Sequence, residues 1–181
     1  VFFYAPMIFE QSGIGTDAAF MQAVLVGIVN LVFTTIAILT IDKFGRRPLL
    51  LTGLAIIAAC MFLLAWGFSA DPLNPTVILI GILGFVAGFA ISLGPVMWVL
   101  FSELFPNRVR AIAISFVGFI NSTVSFLVQL VFPWELENFG NSMTFLIYGV
   151  FAVIGLLVMA KILPETRGRS LEELESELVG R

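Results

Sequence analysis

The sequence predicts an all-α protein that crosses a membrane several times. Of its 181 residues, 60% are hydrophobic and 12% are charged, which is about half the charged fraction of an average soluble domain. The apolar residues form long runs, and the charged residues lie at or between the ends of these runs. The predicted fold class is therefore a polytopic membrane protein.

Five apolar runs are each long enough to span a bilayer. At about 1.5 Å per residue, a helix of roughly 20 residues crosses a hydrocarbon core about 30 Å thick. The runs cover residues 18–41, 49–68, 76–101, 109–133 and 141–163. Residues 1–9 are apolar but too short to span, and we expect no signal peptide because they lack a basic start and a cleavage site. We interpret them as the end of a further helix, cut inside a longer protein.

The basic residues predict how these spans are oriented. Connector 42–47 carries four charges in six residues, and alternate connectors are basic whereas the others are acidic or neutral. The nine basic residues are Lys43, Arg46, Arg47, Arg108, Arg110, Lys161, Arg167, Arg169 and Arg181. By the positive-inside rule, their connectors and the C-terminus are expected on the cytoplasmic side of the cell membrane.

Residue types that are scarce argue against several kinds of site. The chain has no histidine and one cysteine, Cys60, which is interpreted as a small apolar side chain. All twelve acidic residues lie in connectors or the tail, which argues against an intramembrane acid–base enzyme or a proton relay in this segment. We expect no metal, no cofactor and no nucleic-acid partner, and we predict that the protein is not an enzyme.

Two asparagines lie at the centres of apolar runs. Asn30 is in the run 18–41, and Asn121 is in the run 109–133, where Ser122 and Ser125 follow it. Because a buried amide needs a hydrogen-bond partner, two interpretations compete. These residues either hold helices together or line a hydrated cavity for a polyhydroxyl ligand.

The third run contains Gly94 and Pro95, followed by Trp98. Proline removes a helical hydrogen bond, so a bend is predicted here, and bent helices often line transport pathways. Trp98 is expected either to face a central cavity or to lie in the interfacial aromatic belt. Earlier in this run, the spacing of Gly81, Gly84 and Gly88 predicts close helix packing.

The tail, residues 164–181, is predicted to form a short helix along the cytoplasmic surface. Ser170 and Glu173 fit a capping box, and Leu171, Leu174 and Leu178 fall on one face. The alternative is a disordered acidic tail. The expected domains are thus a transmembrane bundle, residues 1–163, and this tail.

Four motifs, in this order along the chain, resemble those of the sugar porters of the major facilitator superfamily. They are D-[RK]-x-G-R-[RK] at 42–47, G-P-x-x-W at 94–98, E-x₆-R at 103–110 and P-E-T-[KR]-G at 164–168. The resemblance implies a fold of two six-helix bundles with a sugar bound between them. This chain would be the C-terminal half, from the end of helix seven to helix twelve.

The resemblance also implies a set of sugar-contacting residues: Asn30, Trp98, Asn121, Tyr4 and Ser122. Two departures concern the choice of sugar. Phe3 replaces the first of two tyrosines, and Ser122 and Ser125 stand where many relatives have tryptophan and asparagine.

The implied function is proton-coupled transport of a pentose or hexose by alternating access. The alternatives are a facilitative uniporter and a non-transporting sugar sensor. The implied partners are the sugar, protons, the missing N-terminal half and the lipid bilayer.

The charged connectors are expected to form a cytoplasmic gate. Its members would be Asp42, Arg46, Arg47, Glu103, Arg110 and Glu165, paired with one another and with the missing half. The alternative is that these charges only set the topology.

We predict that residues 44 and 138 lie on opposite sides of the membrane. Phe44→Cys and Asn138→Cys in a cysteine-free full-length protein should react with a membrane-impermeant thiol reagent from opposite sides of intact cells and inverted vesicles. Reaction of both from the same side would refute the orientation.

Overall fold

A computed structural model describes residues 5–11, 16–105 and 108–163, and this part of the chain is helical without strands. Its helices are α1 (Ala5–Gln11), α2 (Thr16–Phe44), α3 (Arg46–Ser69), α4 (Pro75–Ile91), α5 (Pro95–Leu104) and α6 (Arg110–Ile162). The predicted all-α class is confirmed. Tyr4, Glu165 and the predicted tail helix lie outside the described residues.

Four stretches are long and apolar enough to cross a membrane. They are Val24–Phe44, Arg46–Ser69, Pro75–Glu103 and Arg110–Ile162. The last has 53 residues, which as one straight helix would be about 80 Å long. This is more than twice the thickness of the hydrocarbon core, so this stretch must cross twice or bend.

Helix α6 folds back on itself at Gly140, which has non-helical backbone angles (φ 77°, ψ 162°). In a straight helix Phe132 and Phe145 would be about 20 Å apart, but their ring centroids are 6.3 Å apart. The Tyr148 hydroxyl likewise donates to Glu135 across this turn, at 2.8 Å. Segments 110–139 and 141–162 are therefore two antiparallel arms, which we call the first and second arms, and together with the three earlier stretches they make five spans.

The connectors are shorter than the sequence predicts. Residues 134–140 were expected to form a connector, but the first arm remains helical up to Gly140. Similarly, α2 ends at Phe44 and α3 begins at Arg46, so that only Gly45 separates them. Both glycines have positive φ, which costs glycine little, and a single such residue reverses the chain without a loop.

The predicted bend before Trp98 is confirmed. Helix α4 ends at Ile91, and α5 starts at Pro95. The backbone N–H groups of Ser92 and Gly94 both donate to the Phe89 carbonyl, at 3.2 and 3.0 Å. Pro95 has no N–H to donate, so its place in the first turn of α5 leaves no helical donor unsatisfied.

Helices α3 and α4 pack closely along a row of glycines, as the spacing of Gly81, Gly84 and Gly88 predicts. A Cβ atom added at these positions would lie 2.8 Å from the side chain of Leu64, 2.6 Å from that of Cys60 and 2.9 Å from that of Ile56, respectively. These partners follow one another at intervals of four residues on α3. We call this contact the glycine seam.

Two buried apolar clusters hold the helices together. The larger one joins α1, α2, α3, α4 and both arms of α6, and includes Met61, Leu64, Ile82 and Phe145. The smaller one joins the ends of α2, α3, α5 and α6 near the charged connector; its buried members are Ile41, Leu49, Leu50, Leu54, Val96, Leu100 and Leu163. It fixes the ends of four helices at the level where the charged side chains begin.

We predict that Gly53→Ala destabilises the protein. The added Cβ would lie 2.2 Å from the Ser92 side chain and 2.6 Å from the Gly88 carbonyl oxygen, so that α3 and α4 must separate. Overpacking of this kind costs about 1–3 kcal/mol, and the apparent melting temperature of the purified full-length protein should fall.

The control is Gly155→Ala, because a Cβ at this helical position meets no atom of this chain within 4 Å. Its effect should be neutral or stabilising, by up to about 1 kcal/mol. Equal melting temperatures for the two variants would contradict the tight contact at Gly53.

Candidate functional site

Arg46, at the start of α3, contacts acidic side chains of two other helices at the charged connector. Its Nη2 and Nε donate to Glu103 Oε1 on α5 at 2.7 and 3.0 Å, and Nη2 also lies 3.0 Å from Asp42 Oδ1. The side chains of Arg46 and Glu103 are 14% and 26% exposed, whereas that of Asp42 is 79% exposed. The Arg46–Glu103 contact is thus better shielded from water, so it is expected to be the stronger of the two.

Arg47 and Arg110 bond to backbone carbonyls among the described residues, rather than to carboxylates. Arg47 Nη2 donates to the Ala160 carbonyl at 2.8 Å, near the end of the second arm, and Arg110 Nε donates to the Phe105 carbonyl at 3.2 Å. The last carbonyls of a helix lack helical donors and carry partial negative charge, so Arg47 stabilises this helix end. The sequence could not predict these partners because carbonyl groups carry no residue signature.

Trp98 lies beside the first arm of α6, next to two other predicted site residues. A Cβ added at Gly118 would be 3.7 Å from Trp98 Cη2, so the indole edge packs over this glycine. Asn121 and Ser122 follow Gly118 by three and four residues and therefore occupy the next turn of the same face. Trp98 is 44% exposed, and both polar side chains are exposed. The structure thus brings Trp98, Asn121 and Ser122 to one accessible surface.

Asn30 is placed differently. It is half-buried at the centre of α2, which packs against α4 and α5. Within the described ranges, α2 makes no close approach to α6, so Asn30 is not adjacent to Asn121. Of the five predicted sugar contacts, three are brought together, Asn30 lies on a separate helix, and Tyr4 is outside the described residues.

A groove extends along the first arm from Ser122. It has a volume of about 350 Å³ and is lined by Ser122, Phe126, Gln129 and Leu130. Gln129 was not singled out from the sequence. The argument used for Asn121, an amide inside an apolar run, applies equally to Gln129 and could have found it.

A second cavity, of about 230 Å³, lies between α3, α4 and the two arms. Its walls are Ile57, Met61, Phe85, Val128, Gln129, Phe132 and Tyr148. It is mainly apolar, and its polar groups are those of Gln129 and Tyr148. The Tyr148–Glu135 hydrogen bond next to it depends on the α6 hairpin, so no local pattern in the sequence predicts it. Among the described residues, no cluster of His, Cys, Asp or Glu could hold a metal ion.

Comparison with known proteins identifies the family. The model of the family "Sugar (and other) transporter" matches residues 1–178. The chain belongs to this transporter family. Its members are transporters, and the long apolar helices are those of a multi-pass membrane protein. The fold is that of the major facilitator superfamily, because it matches XylE, a transporter of that superfamily, at 42% identity.

Relatives and a solved structure agree with this assignment. The chain is 41% identical to a D-xylose-proton symporter of Escherichia coli (strain K12), over 97% of this chain and 37% of that protein. It is 36% identical to a glucose facilitated diffusion protein of Zymomonas mobilis, over 97% of this chain and 38% of that protein. The proton:xylose symporter XylE bound to 6-bromo-6-deoxy-D-glucose superimposes with a TM-score of 0.82 at 42% identity, over 98% of this chain and 38% of that one.

The chain therefore spans somewhat more than a third of the length of these transporters. Much of its surface is accordingly apolar and exposed, as at Ile112, Phe119 and Phe126. Such surface is suited to lipid or to the remaining part of a transporter.

Proposed function

We propose that the full-length protein transports a monosaccharide, a pentose or hexose, across the cell membrane by alternating access and coupled to protons. The observation that carries this proposal is the surface shared by Trp98, Asn121 and Ser122. It combines the aromatic face of Trp98 on α5 with the hydrogen-bonding side chains of Asn121 and Ser122 within the apolar run of the first arm. The protein acts as a transporter and not as an enzyme.

The chemistry of this surface suits a sugar. An indole offers a flat apolar face for the C–H face of a pyranose, and amide and hydroxyl groups bond to sugar hydroxyls. Asn30 and Tyr4 complete the site when the second bundle encloses the sugar. Support comes from relatives whose names specify D-xylose, arabinose and glucose.

Facilitated diffusion is the second candidate. It is favoured by the similarity to a glucose facilitated diffusion protein. In the proton-coupled case, the acid that binds the proton belongs to the N-terminal half.

The charged connector acts as the gate on the cytoplasmic side. Arg46, Asp42 and Glu103 link α2 and α3 to α5, while Arg47 and Arg110 hold the adjoining helix ends. Glu165 and the second half of the transporter extend this network. In this proposal residues 1–163 form the C-terminal bundle, and residues 164–181 form a cytoplasmic tail helix.

Transport is tested with the full-length protein in sealed vesicles. Labelled pentoses and hexoses are supplied with and without an inward proton gradient. Accumulation of one sugar above its outside concentration, only when the gradient is present, is the expected result. Equilibration without accumulation would instead identify facilitated diffusion, and the absence of uptake of any sugar would refute the transport proposal.

Site variants are then compared for sugar binding. Asn121→Ala and Trp98→Ala should each weaken binding about 3- to 30-fold, because a hydrogen bond or a stacking face is lost. Melting temperatures should remain close to that of the unmodified protein, since both side chains are exposed. Unchanged affinity in both variants would remove these residues from the site.

Arg46→Ala is predicted to reduce the outward-facing population. It removes both ion pairs, and the loss of about 1–2 kcal/mol would change a two-state equilibrium about 5- to 30-fold. The readout is the reactivity of cysteines placed in the outer and inner cavities. Lys43→Ala is the matched control, because Lys43 is an exposed cation of the same connector. An equal effect of both variants would indicate that only the net charge of the connector matters, and this would contradict the proposed gate.

A further inference from the structure

Gln129 lies on the same side of α6 as the proposed sugar site. It follows Gly118, over which Trp98 packs, by 11 residues, or about three helical turns. It follows Ser122 by seven residues, or about two turns. The three positions therefore form one stripe along the first arm.

The groove runs along part of this stripe, from Ser122 to Gln129. Ser122 and Gln129 both line it, and Phe126 lies between them. Its volume of about 350 Å³ is within the range of small-molecule sites. Two hydrogen-bonding side chains about 10 Å apart along the helix, with an aromatic ring between them, resemble the Trp98–Asn121 surface in chemistry.

The hydrogen bond that Gln129 makes within its helix does not determine its role. Its Nε2 donates to the Ser125 carbonyl at 3.1 Å, which a glutamine facing lipid would also do. What distinguishes it is its angular position. Leu127, two residues earlier, lies on the opposite side of the helix from Gly118 and is exposed, whereas Gln129 is half-buried and also borders the second cavity.

We infer that Ser122, Phe126 and Gln129 form an outer sugar subsite, in which Gln129 binds a sugar hydroxyl before the sugar reaches Asn121. This inference rests on the proposed transport function. With the cytoplasmic end of the first arm at Arg110, Gln129 lies about 12 Å farther out than Asn121. The subsite supplies a side-chain amide along the entry path, whereas the serines at positions 122 and 125 supply only hydroxyl groups.

The first test is protection from thiol modification. Gln129→Cys and Leu127→Cys are placed in a full-length protein without other cysteines, which includes the substitution Cys60→Ala. A membrane-impermeant thiol reagent is added outside intact cells, with and without the sugar that the protein takes up. The expected result is that position 129 reacts and the sugar slows this reaction several-fold, whereas the sugar has no effect at position 127.

Three results would overturn the inference. The first is that position 129 does not react, which would place it against lipid or protein. The second is that it reacts at the same rate with and without sugar. The third is that sugar slows the reaction equally at positions 127 and 129, which would indicate a global conformational change. A failure of the proposed function is recognised separately, because the unmodified protein would then take up no sugar.

The second test measures uptake kinetics. Gln129→Leu keeps a side chain of similar size but removes the amide, and should raise the half-saturation concentration for uptake about 2- to 10-fold. Leu127→Ala should leave it unchanged. If Gln129→Leu retains the original half-saturation concentration while Asn121→Ala raises it, the outer subsite is refuted and the central site stands.

Discussion

The close approach of α3 and α4 is the constraint on which the remaining structure depends. Helices in a bilayer gain little from the hydrophobic effect when they associate, so contact between backbones and shape complementarity must hold them together. Along the glycine seam, the side chains of Leu64, Cys60 and Ile56 pack closely against Gly81, Gly84 and Gly88, respectively. At the end of the seam nearest the charged connector the relation is reversed, because Gly53 of α3 accommodates the buried side chain of Ser92, the residue that follows α4.

The glycine seam ends just before α5, the part of the third span that carries Trp98 and Glu103. Ser92 is fully buried against α3, and its hydroxyl donates to the Gly88 carbonyl at 2.7 Å. Helix α5 starts three residues later with a new direction. It carries both Trp98, beside the first arm of α6, and Glu103, which binds Arg46. One short helix thus links the proposed sugar surface to the charged connector, and its position depends on the anchored end of α4.

The second arm of α6 is fastened to α3 at both ends. At the end near Gly140, the Ser142 and Ser69 hydroxyl oxygens lie 2.5 Å apart and each lies 2.8 Å from the Ala65 carbonyl oxygen, so that one hydroxyl donates to this carbonyl and the other is free to donate to its neighbour. At the other end, Arg47 donates to the Ala160 carbonyl. The first arm has fewer such ties and exposes most of its side chains. One arm is thus held within the bundle, while the other carries the accessible surface of the proposed site.

The sequence alone determined the fold class, the five spans and the bend before Trp98, because these follow from apolar length and from the chemistry of glycine and proline. It also identified the residues of the charged connector, since charges in a membrane protein are confined to the water-exposed ends. Only the tertiary structure decided which charges meet. Arg46 binds Glu103, 57 residues away, while Arg47 and Arg110 bind carbonyl oxygens. The Tyr148–Glu135 bond likewise depends on how the two arms fold about Gly140, and such distant contacts are set by packing rather than by local pattern.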